Sequence, residues 1–441
     1  MEKDTSSDGW MDLPPEVLEL IFQRLSLMDN LMNCRATCCS WRKAADSIFS
    51  SQLPLMLSLS PSEFQSSWVK PDDTTCLGSL SAPWSKDDST VLTETWPQVI
   101  RPDITRVYSM QGWLMFNIFH YVSDKDQIFS ELSFFNPFSR ARFKLPKLFL
   151  FSGSPRCHQV RFAFNSAPPG SEEFLVVLLG KFCYQEREES IVKVEQIKQR
   201  LAFIKFKQGS WIESIETTEF FYDIAVHDDN KLYALSIKHR TSVVFVFTLG
   251  DNHSDDHVVE RLFMLNTIRG ISSRDTIFWS KKGGETYHLG DLSFKPDHQL
   301  AMDTSTGELL LVIHYLSASS SCSCYRSVRT EEFRVFKLDR SILRWCEVFD
   351  IGDRFLFWDY TRVSLVSATA LRLSHHKFKG GNCIFFCHAN TKMNPNIKEG
   401  PLNFPEHDIG VFFLADRTIS HFPINSSLPF SFENIWFSPA P

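Results

Sequence analysis

The sequence predicts a mainly β chain: a small helical module at the N-terminus, then a ring of short stacked sheets, a β-propeller of about six to eight blades. Three observations lead there. Apolar residues recur at helical spacing only within residues 12–49, and from Leu53 onward the pattern switches to period two. Beyond that point a turn-led apolar strand recurs roughly every forty to fifty residues, the length of one four-stranded blade. Forty phenylalanines and eleven tryptophans also suit many short, stacked strands better than a helical bundle.

The helical module begins at Asp12. That residue can cap a helix, Pro14 and Pro15 suit its first turn, and Glu16 and Glu19 favour its positive end. Val17, Leu18, Ile21, Phe22 and Leu25 then form one apolar stripe. Ser26 to Asp29 breaks that helix and caps a second. The stretch from Asn33 to Arg42 leads into a third, expected to end near Ile48 or Phe49. Residues 1–11 are read as a disordered lead. So small a unit buries too little surface to stand alone, so its leftover apolar face calls for a partner.

This stretch resembles the F-box. The matching positions are Leu13-Pro14, Glu16-Val17-Leu18, Ile21-Phe22, Arg24-Leu25, Asp29, Leu31, Arg35, Cys38 and Trp41-Arg42. Met32 and Asn33 depart from it, standing where a basic and an apolar residue are usual. The resemblance implies docking to a Skp-type adaptor and, through it, to a cullin–RING ubiquitin ligase. Leu13, Pro14, Val17, Leu18, Ile21, Phe22 and Leu25 are then the adaptor-binding candidates, because apolar anchors in a groove supply most of such a contact's energy. Trp41 is either a further contact or the packing centre of the three helices.

From residue 53 to 441 two units alternate. One is a turn residue followed by an apolar strand, as at Gly112-Trp-Leu-Met-Phe116, Asn230 to Leu235, Gly307 to Val312 and Gly381 to Phe386. The other is a strand, a tight polar turn and a second strand, as at Phe134 to Phe143, Phe206 to Ile212, Phe336 to Trp345 and Phe413 to Phe422. Each blade buries its faces only by stacking on neighbours, so the repeats imply a closed ring. Leu55–Leu59 and Glu433–Phe437 are the outermost strand-like stretches and are expected to close it. Gly112-Trp-Leu, Asn136-Pro-Phe138 before Leu145-Pro146, Asp223 to His227, Gly410-Val-Phe412 and Trp436-Phe-Ser-Pro439 resemble the kelch-like propeller of an uncharacterised family of plant F-box proteins. Four charged or Gly/Ser-rich stretches, 185–200, 250–257, 317–324 and 391–407, are expected to be loops.

A net charge of −6 gives no general draw to nucleic acid or an anionic membrane, and no run of eighteen apolar residues exists. The acidic start is neither a secretory signal nor a transit peptide, and the eleven scattered cysteines read as reduced thiols of the nucleus or cytoplasm.

Catalytic signatures are not found: there is no phosphate-cradling Gly-rich loop, nucleophile elbow or metal-binding His-Glu-x-x-His helix. Cys383 and Cys387 share one face of a strand, but no second ligand pair stands at zinc spacing, so they read as buried small hydrophobes. His375-His376 reads as a solvated turn. Asp223, Asp228 and Asp229 flank one strand, Asp339 and Asp416 sit in hairpin turns, and all five read as ordinary turn acids. Arg161-Phe-Ala-Phe164 reads as a core strand. The F-box resemblance implies a non-catalytic receptor that holds a target protein for ubiquitination; no metal and no cofactor are expected. A non-degradative scaffold and a propeller enzyme with a helical appendage are the alternatives.

Overall fold

The structure is a computed structural model. It describes residues 9, 13–22, 34 and 37–50 and, between 55 and 437, the strands given below with the tight turns that join them. In the N-terminal part the Pro14 carbonyl accepts hydrogen bonds from the amides of Val17 (3.0 Å) and Leu18 (3.1 Å). The chain therefore turns helical at Pro15, where a missing N–H costs nothing. Helix α1 spans Pro15–Phe22 and helix α2 spans Cys39–Ser50. They pack together: Leu18 and Phe22 are fully buried, the small side chains of Ala44 and Ala45 are buried with them, and the Phe22 ring meets the edge of Trp41 at 5.3 Å. Asp12, Leu25 and most of the expected middle helix lie outside the described residues.

The rest of the described chain is built of strands, with no helix among the described residues past 55. Five sheets are each cut from one continuous stretch, so the continuous blades number five and not the six to eight expected. From the inner strand outward, sheet 2 holds Thr105–Met110, Trp113–Val122, Gln127–Phe135 and Arg142–Lys144, with Leu148–Ser152 also on its third strand. Sheet 3 holds Arg156–Phe164, Leu175–Tyr184, Gln196–Lys205 and Ile212–Glu216. Sheet 4 holds Phe221–His227, Lys231–Lys238, Thr241–Thr248 and Val259–Glu260. Sheet 5 holds Asp297–Asp303, Glu308–Ser319, Ser327–Asp339 and Arg344–Val348. Sheet 6 is ordered Val363–Ser367, Arg354–Trp358, Cys383–His388, Asp408–Phe413 and Thr418–His421, and its second and third strands run parallel.

Sheet 1 is composite. Its inner strand is Glu433–Phe437, followed by Leu55–Pro61, Cys76–Ser81 and Glu94–Trp96. The two ends of the chain pair directly, Leu55 opposite Phe437 and Leu59 opposite Glu433, as a ring closed by its termini requires.

Between neighbouring sheets lie apolar layers in which the phenylalanines stack. Phe134, Phe164 and Phe174 fill the layer between sheets 2 and 3, and Phe203, Phe221 and Phe245 that between sheets 3 and 4. Leu235, Leu311 and Phe336 join sheets 4 and 5, and Phe333, Trp358, Phe386 and Phe412 join sheets 5 and 6. Phe357, Phe385 and Trp436 join sheet 6 to sheet 1. Each such ring contributes roughly 1.5–3 kcal/mol when fully buried.

In sheets 2, 4 and 5 the inner strand turns tightly into the second at one end, the turn face, and in sheet 6 Gly381 leads a strand from that same end. Gly112, Asn230, Gly307 and Gly381, each expected to lead a strand, all have positive φ (78°, 62°, 69° and 74°). Polar bonds lace this turn face together. Arg354 Nη1 donates to Asp303 (2.9 Å) and Glu308 (2.7 Å), joining sheets 5 and 6, and Arg340 donates to Tyr233 Oη (3.1 Å) and the Gly307 carbonyl (2.7 Å), joining sheets 4 and 5. At Gly381 an added Cβ would lie 2.5 Å from the Asp353 carbonyl carbon. Gly381→Ala is therefore expected to cost at least about 1–3 kcal/mol in chemical denaturation, from strained φ plus a backbone clash. A change under about 0.5 kcal/mol, as at an ordinary surface site, would contradict this.

Two loop expectations are corrected. Residues 196–200 belong to the strand Gln196–Lys205, and residues 317–319 to the strand Glu308–Ser319, because long antiparallel partners carry the ladder further than local composition suggests. Within 185–195, Arg187–Glu188 also pairs with Ile191–Val192 as a short hairpin, a third correction. This stretch, 320–324 and 391–407 leave from the end opposite the turn face, and 250–257 from the turn face; most of their residues, with His375 and His376, lie outside the described ones.

Candidate functional site

Two places on the molecule carry chemistry beyond packing. The first is helix α1. Its expected contact residues divide by burial. Leu18 and Phe22 face α2 and form the module's own interior, so in this structure they are packing residues and not surface contacts. Leu13 and Ile21 are half-buried, Pro14 is exposed and Val17 is 39% exposed. Leu20, missed in the sequence because it lies off the stripe, is 61% exposed. Trp41 is half-buried against Phe22, which places it in the packing of the module.

The second is the ring axis. Arg354 starts its strand at the turn face, so the turn Asp359–Arg362 that ends the strand lies at the opposite, loop-bearing end, beside the inner strands. Asp359 Oδ1 accepts the amides of Thr361 (2.8 Å) and Arg362 (2.9 Å) and the Thr361 hydroxyl (2.6 Å), folding the turn on itself. Three other sheets hold it. Arg161 Nη1 of sheet 3 donates to the Thr361 carbonyl (3.0 Å), and Gln299 Nε2 of sheet 5 to the Asp359 carbonyl (3.0 Å). The Trp436 amide of sheet 1 donates to Asp359 Oδ2 (3.2 Å) and its indole to the Trp358 carbonyl (3.0 Å).

Sheet 4 joins through Asp223, whose Oδ2 accepts the Leu300 amide (2.6 Å) while its Oδ1 lies 4.0 Å from Arg161 Nε. Burial is the largest influence on Asp223; it pushes the carboxyl up to about 6 although Arg161 opposes it. Burial likewise raises Asp359 and lowers Arg362, whose guanidinium lies over the Phe164 ring at 5.6 Å. Asp223 is thus not a turn acid. Asp229, Asp339 and Asp416 are: each caps its own turn through a backbone amide two residues on.

Cys383 and Cys387 are buried in the layer between sheet 6 and Trp436. Burial pushes the Cys383 thiol up to about 12 and Cys387 well above its usual value, which makes both poor metal ligands. The junction of sheets 5 and 6 gathers His314, Thr330, Asp408 and His421. His314 Nε2 meets the Thr330 hydroxyl (3.0 Å), Asp408 accepts the Thr330 amide, and His421 Nδ1 lies 3.1 Å from Asp408 Oδ1. Burial holds His314 well below the ordinary histidine range, so its ring is neutral and stacks on Phe333 at 4.3 Å. No group of three metal-ligating side chains converges among the described residues.

A family model described as the KIB1-4 beta-propeller matches residues 81–413, well over half of the chain. The chain belongs to the KIB1-4 beta-propeller family. Its match runs across the five continuous sheets as far as Phe413, and the closing strand Glu433–Phe437 lies beyond it. Residues 10–50 match the F-box domain, which contains α1 and α2. The chain is 25% identical over 236 residues to a probable F-box protein of Arabidopsis thaliana, and the match spans 54% of this chain and 59% of that relative's length. Among solved structures, prolyl oligopeptidase B from Galerina marginata aligns with 10% identity over 96% of this chain and 56% of its own, at a TM-score of 0.31. A mannose phosphorylase from Leishmania mexicana aligns with 8% identity over 76% and 87%, at 0.28. Scores this low carry no argument about fold or chemistry.

In this KIB1-4 propeller the axial cluster was invisible to spacing arguments. Arg161, Asp223, Gln299 and Asp359 come from four sheets, and the one local signal is a charged residue inside the apolar run Val160 to Phe164.

Proposed function

We propose that this chain is the substrate-recognition subunit of a Skp–cullin–F-box ubiquitin ligase, with α1 docking the Skp-type adaptor and the propeller holding a target protein. The observation that carries the reading is the division of α1 within the F-box match: Leu18 and Phe22 satisfy the module's interior, while Leu13, Pro14, Val17, Leu20 and Ile21 keep apolar surface that its own fold does not use. The mechanism is proximity. The receptor forms no covalent bond; it raises the effective concentration of a target lysine near the charged ubiquitin enzyme. Direct self-plugging of the ring axis by Arg161 and the Asp359 turn supports a binding role over a catalytic one.

The same reading places the F-box at residues 12–49 and the propeller at 53–441, with the composite sheet as a sixth blade and the turn-led repeat as kelch-like. It also places the protein in the nucleus or cytoplasm, away from nucleic acid and membranes. The test is recovery of adaptor and cullin by the chain carrying Leu13→Ala, Pro14→Ala and Ile21→Asp. A carboxylate forced into the contact costs several kcal/mol, against about 8 kcal/mol for a micromolar complex. Loss of both partners with an unchanged propeller melt is the expected result; wild-type recovery overturns the F-box assignment.

A further inference from the structure

The axial cluster ends at the loop-bearing face in a small surface with an unusual make-up. Sheet 4's inner strand carries a β-bulge there: Phe221 pairs with Ser236 and Asp223 with Leu235, so Tyr222 is the extra residue. A bulge re-aims the side chain it adds. Phe221 and Asp223 stay buried, while Tyr222 is 47% exposed and its neighbour Phe220 42%. Two large aromatic side chains that keep more than two fifths of their surface beside a ring axis form an exposed apolar patch.

An acid stands on the neighbouring inner strand, at the same end. Asp223 Oδ1 and Asp297 Oδ1 both face the Arg161 guanidinium, at 4.0 and 3.5 Å, which sets Asp297 beside the strand that carries Tyr222. The Asp223 and Asp359 carboxylates are buried, but the Asp297 side chain keeps 34% of its surface. Three carboxylates (Asp223, Asp297, Asp359) meet two guanidiniums (Arg161, Arg362) in this cluster. With all five ionised the balance is one negative charge. Gln299 Oε1 adds a buried acceptor with no hydrogen-bond partner among the described residues.

We propose that this mouth, Phe220 and Tyr222 beside Asp297, is a docking site for a protein segment carrying lysine or arginine side chains. A cationic head satisfies both features at once: it is attracted to the face of an aromatic ring and pairs with a half-exposed carboxylate. Its apolar stem covers the rings. A purely apolar segment would strip water from Asp297 without replacing it, and an acidic one would meet the excess carboxylate. The inference rests on the reading that the propeller holds a target protein, and gives that target's recognised segment its chemistry.

The test uses the full chain, purified and immobilised, to select from a random heptapeptide phage library. The expected result is enrichment of lysine or arginine. A synthetic copy of the most enriched peptide should bind about tenfold more weakly to Tyr222→Ser and, separately, to Asp297→Asn. If Asp297→Asn lowers the melting temperature, the Phe220→Ser, Tyr222→Ser double variant replaces it, because both rings lie outside the core. Enrichment of acidic or uncharged peptides, no enrichment at all, or unchanged affinity in the folded variants overturns the proposal. Adaptor recovery is read in parallel and answers only to α1. Basic-peptide binding without adaptor would therefore sink the ligase reading and leave the mouth intact.

Discussion

A chain lacking residues 432–441 is expected to be insoluble or to melt far below the full-length protein. These residues supply the inner strand of the composite sheet, and among the described residues the backbone of Leu55–Leu59 pairs with nothing else on that side. Removing the strand exposes an open edge on sheet 1, the arrangement that invites edge-to-edge aggregation. It also removes Trp436, whose ring packs on Phe357 (5.6 Å) and Phe385 (6.0 Å) and whose two N–H groups bond to Trp358 and Asp359. Trp436→Ala alone is expected to cost about 3–5 kcal/mol, the usual range for a buried aromatic truncated in a core. Thermal unfolding of both variants checks this. A truncated chain that stays soluble and melts like the full one would show that the termini do not close the ring.

Between pH 4 and 6 wild type is expected to lose stability relative to an Asp223→Asn variant. The Asp223 carboxyl titrates near 3.8 when unexposed to the fold's influence and is pushed up to about 6 by burial in the folded ring. In that window the native chain binds more protons than the unfolded chain, so stability falls as pH rises. The contribution is fully present below the unfolded value and is lost once pH passes the folded one. The difference between 3.8 and about 6 corresponds to something on the order of 2–3 kcal/mol. Asp359, raised by the same cause, tilts the curve in the same direction, whereas Asp303 and Glu308, lowered by hydrogen bonds to Ser305, Lys337 and Arg354, tilt it oppositely. The wild-type-minus-variant difference isolates Asp223. A difference that stays flat from pH 4 to 6 would mean that this carboxyl is not held in the buried environment described. Arg161→Met should destabilise at neutral pH by about 3–5 kcal/mol, since it leaves buried carboxylates uncompensated.

Much of this was legible in the chain because it depends on neighbours in sequence. The helix start at Pro14-Pro15, the left-handed turns at Gly112, Asn230, Gly307 and Gly381, and the hairpins around Asp339 and Asp416 follow from local backbone preferences. So did the closing strands, because each end carries an apolar alternation and a closed ring needs the two to pair. The α1 stripe was read correctly as apolar, but periodicity assigned all of it to one face. Only packing against α2 separated Leu18 and Phe22, which the module buries, from Val17 and Leu20, which it leaves in water.

The axis was decided by tertiary structure alone. Asp223 looked like a turn acid because it stands near the start of a strand, and nothing local distinguishes it from Asp228 or Asp229. Its character comes from Arg161, 62 positions earlier by their numbers, and from Leu300, 77 later. Closing the ring brings the inner strands to one axis and removes water from whatever they carry there. Electrostatic energy depends on distance and on the surrounding dielectric, and the fold sets both. The sequence determines which residues alternate and where the chain turns; which charges meet, and how dry they are when they do, is settled when the last strand pairs with the first.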